Sequence, residues 1–186
     1  MKKASMWCVI LLCAFVSAKT NAGYRSELRR MTEHGVLYDP TTLDAKLDWR
    51  ATLVSDDFRR ARSQKHIELH HLNPLAAARW VADEEVKQSE GWEFFIALYT
   101  KSDYRQLSHR SDSFWKAVLV TSSGEEVEPT NVEMVPITPY ERELYPYLSR
   151  WSYGYRIFFP KVDLGQRPHF TLRSVVGSST LKWRLR

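Results

Sequence analysis

Leu43-Asp44-Ala45-Lys46-Leu47-Asp48-Trp49-Arg50-Ala51-Thr52-Leu53 is the stretch that decides the fold class. Its odd-numbered positions are apolar and its even-numbered positions are polar. Strict alternation puts one residue type on each face of a pleated strand, so the stretch predicts a half-buried β-strand and excludes an amphipathic helix.

The chain around this strand divides into a helical part and a β part. Upstream, Tyr24 to His34 reads as a short helix ended by Gly35, with a turn at Tyr38-Asp39-Pro40. Downstream, Ser55 is an N-cap with Asp56 and Asp57 in the first turn, which predicts a helix reaching Leu69 or Leu72. Asn73-Pro74 opens a second helix over Leu75 to Gln88, and Gly91 ends it.

From Trp92 onward strands follow one another. Trp92 to Thr100 and Phe114 to Thr121 are near-continuous apolar runs, as expected of strands covered on both faces. Val127 to Ile137 contains Pro129 and Pro136 and is expected at a sheet edge, because proline cannot donate to a ladder. Tyr153 to Phe159 is a further strand. Phe170 to Val176 and Thr180 to Leu185 read as a closing hairpin that turns at Gly177-Ser178-Ser179.

The expectation is a mainly β chain: an antiparallel β-sandwich with a two-helix insertion after the first strand, at about residues 55–90, and a short N-terminal helix. The number of strands resembles immunoglobulin-like sandwiches. That resemblance is one of architecture and implies no activity.

The first residues have a different character. Lys2 and Lys3 precede an apolar run from Met6 to Val16, and small residues follow, the pattern of a secretory signal peptide over residues 1–22. Cleavage is expected after Ala22, with Ala18 as the alternative, leaving residues 23–186 as one domain. The run is too short to span a bilayer, so an integral membrane protein is not expected. Both cysteines, Cys8 and Cys13, lie in this segment. The remainder must therefore be held by packing alone, which suits a bacterial periplasmic or secreted domain. Three of the 27 basic residues and none of the 22 acidic ones precede Gly23, which leaves a net charge of +2 beyond it. With charges of both signs interspersed, no basic footprint for nucleic acid is expected.

The candidates for chemistry are few. His66 and His70 stand four apart on a helix, the spacing of two imidazole ligands, and a third would have to come from His34, His109, His169 or a carboxylate. The order His66-x-Glu68-x-His70, with His71 beside it, differs from the metalloprotease pattern, so a polar helix face is expected and no metal or cofactor. Arg59, Arg60, Arg62, Lys65 and His66 are expected on the solvated face of that helix, with Phe58, Ala61, Leu69 and Leu72 packing inward. Asp83-Glu84-Glu85 and Glu125-Glu126 are expected in solvent. No serine elbow, reactive cysteine or phosphate loop is present, and no catalytic residue is assigned.

The most distinctive stretch is Pro139 to Tyr155, where Tyr140, Tyr145, Tyr147, Trp151 and Tyr153 crowd a connection between strands. Rings with polar tips suit interfaces, and they also suit sugar stacking. Trp49, Trp92, Trp115 and Trp183 lie on strand patterns and are expected in the core. The sequence therefore predicts an exported, non-catalytic binding or assembly module that contacts another envelope or secreted protein through Tyr140, Tyr145, Tyr147, Trp151 and Tyr153. A carbohydrate-binding accessory domain and a secreted enzyme are the alternatives.

Overall fold

A computed structural model describes residues 23–100, 106–108 and 113–185. The segment expected to be a signal peptide, residues 1–22, and His109 lie outside the described residues. Among the described residues the chain is mainly β, with two antiparallel sheets and four helices. In chain order these are α1 (residues 23–31), β1 (Thr32–Tyr38), β2 (Ala45–Leu53), α2 (Asp56–Leu69), α3 (Pro74–Glu90), β3 (Gly91–Thr100), β4 (Lys116–Val120), β5 (Glu126–Val127), β6 (Asn131–Val135), α4 (Pro139–Leu144), β7 (Tyr153–Pro160), β8 (His169–Ser174) and β9 (Gly177–Lys182). One sheet has the order β1-β2-β3-β7-β6 and the other β5-β4-β8-β9.

The two sheets share a sandwich-like core. Leu47, Trp49, Ala51 and Leu53 of β2 meet Phe94, Ile96 and Leu98 of β3, Tyr155, Ile157 and Phe159 of β7, and Phe170, Leu172 and Leu181 of the facing sheet. The alternation in β2 therefore has the consequence expected of it. Trp49, Trp115 and Trp183 are buried in this core, and Trp92 packs against it half-buried. An immunoglobulin-like domain puts its second and third strands in different sheets. Here β2 and β3 are neighbours in one sheet, so the order does not confirm immunoglobulin-like wiring.

Four local expectations need correction. The N-terminal helix stops at Met31, and Thr32 to Tyr38 pairs along β2 as a strand, so the helical pair follows the second strand. Gly35 is not a helix cap. A Cβ there would stand 2.8 Å from Leu181 and 2.9 Å from Ser179 Oγ, so glycine is needed for close passage under β9. Val127 to Ile137 divides into β5 and β6, which lie at edges of different sheets. The last hairpin turns at Val175-Val176, because β8 and β9 pair as far as Ser174 opposite Gly177.

Candidate functional site

Ladder registers define what lies on the outer face of the five-stranded sheet, away from the shared core. One row across it runs Thr32, Thr52, Phe95, Arg156, Glu133, and the next runs His34, Arg50, Ala97, Gly154, Val135. Beyond these, Glu93 pairs with Phe158 on one side and Asp48 with Tyr99 on the other. This face is covered unequally. The helical pair lies over the Glu93 end, the segment around Tyr145 covers the middle, and the Tyr99 end is exposed.

At the covered end α2 presents Arg59 and Arg62, three apart and hence on one side of the helix. Arg62 makes a two-pronged pair with Glu93, its Nη1 at 2.7 Å from Oε1 and its Nη2 at 3.0 Å from Oε2, and the same Nη2 reaches Glu84 Oε2 at 2.6 Å. Arg59 pairs with Glu84 at 2.8 Å and Glu93 at 3.1 Å, and Lys87 pairs with Glu84 at 2.8 Å. The basic face expected in solvent is thus largely buried against carboxylates, with Arg60 exposed and paired to Asp57 and Lys65 paired to Glu143. Glu84 likewise is buried, not solvated. Burial alone would raise both carboxylates. The Arg62 charge outweighs it, lowering Glu93 and, with Lys87, holding Glu84 at about 2.

Arg62, Glu84, Lys87 and Glu93 of this cluster form one wall of a cavity of about 470 Å³ between α2, α3 and the β3-β7-β6 edge. At the α3 side His66 stacks on Trp80, ring centroids 3.5 Å apart, and its Nδ1 lies 2.5 Å from the Tyr140 hydroxyl. Burial lowers the His66 pKa, assisted by His70, and burial raises the Tyr140 hydroxyl to about 12. A neutral imidazole and a protonated phenol thus share this hydrogen bond. His70 joins the same ring cluster 4.3 Å from His66, while His71 is exposed and ends the helix turn with φ +48°. Among the described residues no group of three His, Cys, Asp or Glu side chains is placed to hold a metal ion.

The aromatic segment is divided between three environments. Thr138 opens α4, its backbone N–H and hydroxyl both reaching the Glu141 carboxylate, and this helix sends Tyr140 to the cavity. Tyr145 is in the core, 1 % exposed, stacked on Phe95 at 3.7 Å. Tyr147 is half-buried, its hydroxyl 2.6 Å from Thr52, which in turn meets Thr32 at 2.7 Å. Tyr153 is half-buried against the core. Trp151 is 63 % exposed, with the Arg150 guanidinium 4.7 Å from its ring. It borders a groove of about 290 Å³ with Tyr99, Tyr147, Asp48, Arg50, Ser149 and Ser152. Thus Trp151 and Tyr147 share a site, Tyr140 belongs to another, and Tyr145 is packed at the base of that second one.

The sequence reading missed Tyr99, which shares the outer face with Phe95 and Ala97 in a strand read as covered on both sides but lies beyond the part of that face that is covered. It also missed Glu93, the single charge inside that apolar run, and Arg156, the single charge inside β7. A lone charge within a buried strand was the signal available, since such a charge requires a partner. No family model matches the chain, and no curated protein or solved structure is significantly similar to it. Among the described residues no helix is long and apolar enough to cross a membrane.

Proposed function

We propose that the protein is an exported bacterial module, periplasmic or secreted, which binds another envelope or secreted protein through the groove around Trp151 and does no chemistry of its own. The observation that carries this reading is Trp151 itself. It is 63 % exposed, whereas Trp49, Trp115 and Trp183 are buried and Trp80 and Trp92 half-buried. Leaving so large a ring in water forgoes burial that the other tryptophans obtain, and exposed tryptophan beside tyrosine and arginine is the composition of interface anchors. The short bonds between Ser149 and Ser152, 3.0 Å between hydroxyls, hold the turn that presents it. Export is supported by the Lys2-Lys3 start, the apolar run and the small residues before Gly23.

A second reading is a carbohydrate ligand. It is favoured by Asp48, Arg50, Ser149 and Ser152 around the rings, since sugars are held by stacking combined with polar side chains.

The test is affinity purification from the native envelope with the wild type and with Trp151→Ala and Tyr99→Ala variants of unchanged melting temperature. Retention of one protein by the wild type, lost from both variants, supports the main reading. Retention of a glycan instead favours the second, and a partner held equally by all three forms removes the groove as the site. N-terminal sequencing of the secreted form is expected to begin at Gly23, and a chain still carrying residues 1–22 in the cytoplasm would overturn the export reading.

A further inference from the structure

The cavity beneath the helical pair is lined by Arg62, Lys87 and Arg156 and by the carboxylates of Glu84, Glu90, Glu93 and Glu133, and these charges are unevenly paired. Arg59, Arg62 and Lys87 share the two carboxylates of Glu84 and Glu93. Arg156 adds a further cation to the wall, with its Nε buried and without a hydrogen-bond partner. Among the described residues no carboxylate is in ion-pair contact with it. Glu133 stands opposite Arg156 in the β6–β7 ladder, but Glu133 is exposed and its Oε1 accepts from Asn131 Nδ2 at 2.8 Å. Glu90, the remaining acid in the lining, is also exposed. A second buried donor in the same wall, Trp80 Nε1, is likewise unpartnered.

Both unpartnered groups are donors, and a buried donor without an acceptor is unfavourable. What the wall calls for is therefore an acceptor that carries negative charge. A carboxylate supplies two oxygens in the plane that an arginine fork matches. Beside the polar Thr130 and Asn131, the lining offers the apolar and aromatic side chains of Trp80, Tyr140, Leu144, Phe158 and Phe159. A volume of about 470 Å³ lies within the span of roughly 300–1,000 Å³ that small-molecule sites occupy. We propose that this cavity binds a small amphipathic organic acid, its carboxylate received by Arg156 and its apolar body lying against Phe158 and Trp80. The site is separate from the groove around Trp151 and stands whether or not that groove is used.

The experiment titrates the purified protein with benzoate, octanoate and the neutral benzamide, read by thermal shift and tryptophan fluorescence. At millimolar concentration at least one of the two carboxylates is expected to raise the melting temperature by several degrees, and benzamide is not. Arg156→Met should abolish the carboxylate shift while raising the melting temperature of the ligand-free protein, because a half-buried guanidinium whose Nε lacks an acceptor is replaced by an apolar chain. Arg156→Lys keeps the charge but loses the fork, and is expected to bind roughly tenfold more weakly. Arg173→Ala, on the other sheet and paired with Glu126 at 2.7 Å, should leave the shift intact. The proposal is overturned if neither carboxylate shifts the transition, if benzamide shifts it equally, or if Arg156→Met lowers the stability of the ligand-free protein.

Discussion

Glu93 is the residue on which the covered face of the sheet depends. It holds both guanidiniums of α2 from the middle of a strand, and its side chain is only 5 % exposed. Glu93→Gln leaves the cationic partners buried without one of their two carboxylates, a loss of about 3–5 kcal/mol for a buried pair. At roughly 2–4 °C per kcal/mol for a chain of this size, melting should fall by on the order of 10 °C, which a thermal scan followed by circular dichroism would show. Acid reports on the same cluster. Glu84 and Glu93 ionise more readily folded than unfolded, so their contribution is complete above an unfolded value of about 4.3 and is lost as pH falls toward 2. The depressed His66 acts with the same sign, losing stability as it protonates in acid. Thermal scans between about pH 6 and about pH 2 should therefore show a steep decline that is shallower in Glu84→Gln, and parallel slopes would exclude Glu84 as a source. Tryptophans separate by exposure in the same assay. Trp151→Ala should change stability by less than about 0.5 kcal/mol, whereas Trp49→Ala, at 0 % exposed, should cost about 3–5 kcal/mol.

Gly91 joins α3 to β3, and its role illustrates what an element boundary conceals. The sequence marks it as a helix terminator, and the helix does end at Glu90. Its φ of 175° is ordinary extended backbone, however, and the requirement for glycine comes from across the ladder, where a Cβ would stand 2.2 Å from the Phe159 carbonyl oxygen. Gly91→Ala must push β3 and β7 apart at their first pair, so urea titration should show a loss of about 1–3 kcal/mol or more. A change under 0.5 kcal/mol would mean that the strand ends yield freely. Elements with a local signature were legible: β2 by its alternation, α2 and α3 by Ser55 and Asn73, whose side chains do accept from Phe58 N and Ala76 N. Strand β1 was not, because Thr32 to Tyr38 becomes a strand through pairing with β2, while Thr32 to His34 continue the helical reading of the segment before them and Gly35 reads as its end. The short α4 was announced by Thr138-Pro139 and Glu141 at the third position, a cap signature hidden by the density of tyrosines that follows. Of the candidate site, Trp151 was legible as an aromatic in a turn. The ion cluster was not, since helix periodicity places Arg59 and Arg62 together without saying that a glutamate waits in the sheet below.

At the scale of the whole molecule the question is what makes two apolar cores behave as one. The inter-sheet core lies between β2-β3-β7 and β4-β8-β9, and a second core gathers Tyr24, Leu28 and Met31 of α1 with Phe58, Phe95, Leu144 and Tyr145 on the outer face. Strand β3 serves both, with Phe94 in the first and Phe95 in the second. Trp183 adds a second tie from the far end of the chain. Its ring meets Phe94 edge-on at 5.4 Å inside the first core, while its Nε1 donates to the Met31 carbonyl at 2.8 Å, at the end of α1. That carbonyl is one of the helix-end acceptors that need an outside partner. Trp183→Phe keeps an aromatic ring in the first core and removes the donor, leaving the acceptor buried at a cost of about 1–3 kcal/mol. The wild type should then unfold with coincident far- and near-ultraviolet circular dichroism transitions, as a single cooperative unit. In Trp183→Phe, amide exchange should accelerate in α1 before it does in β3, because α1 is released while the strand remains held on both faces. If exchange instead rises equally in both elements, the bond contributes to global stability alone, and the coupling of the two cores runs through β3.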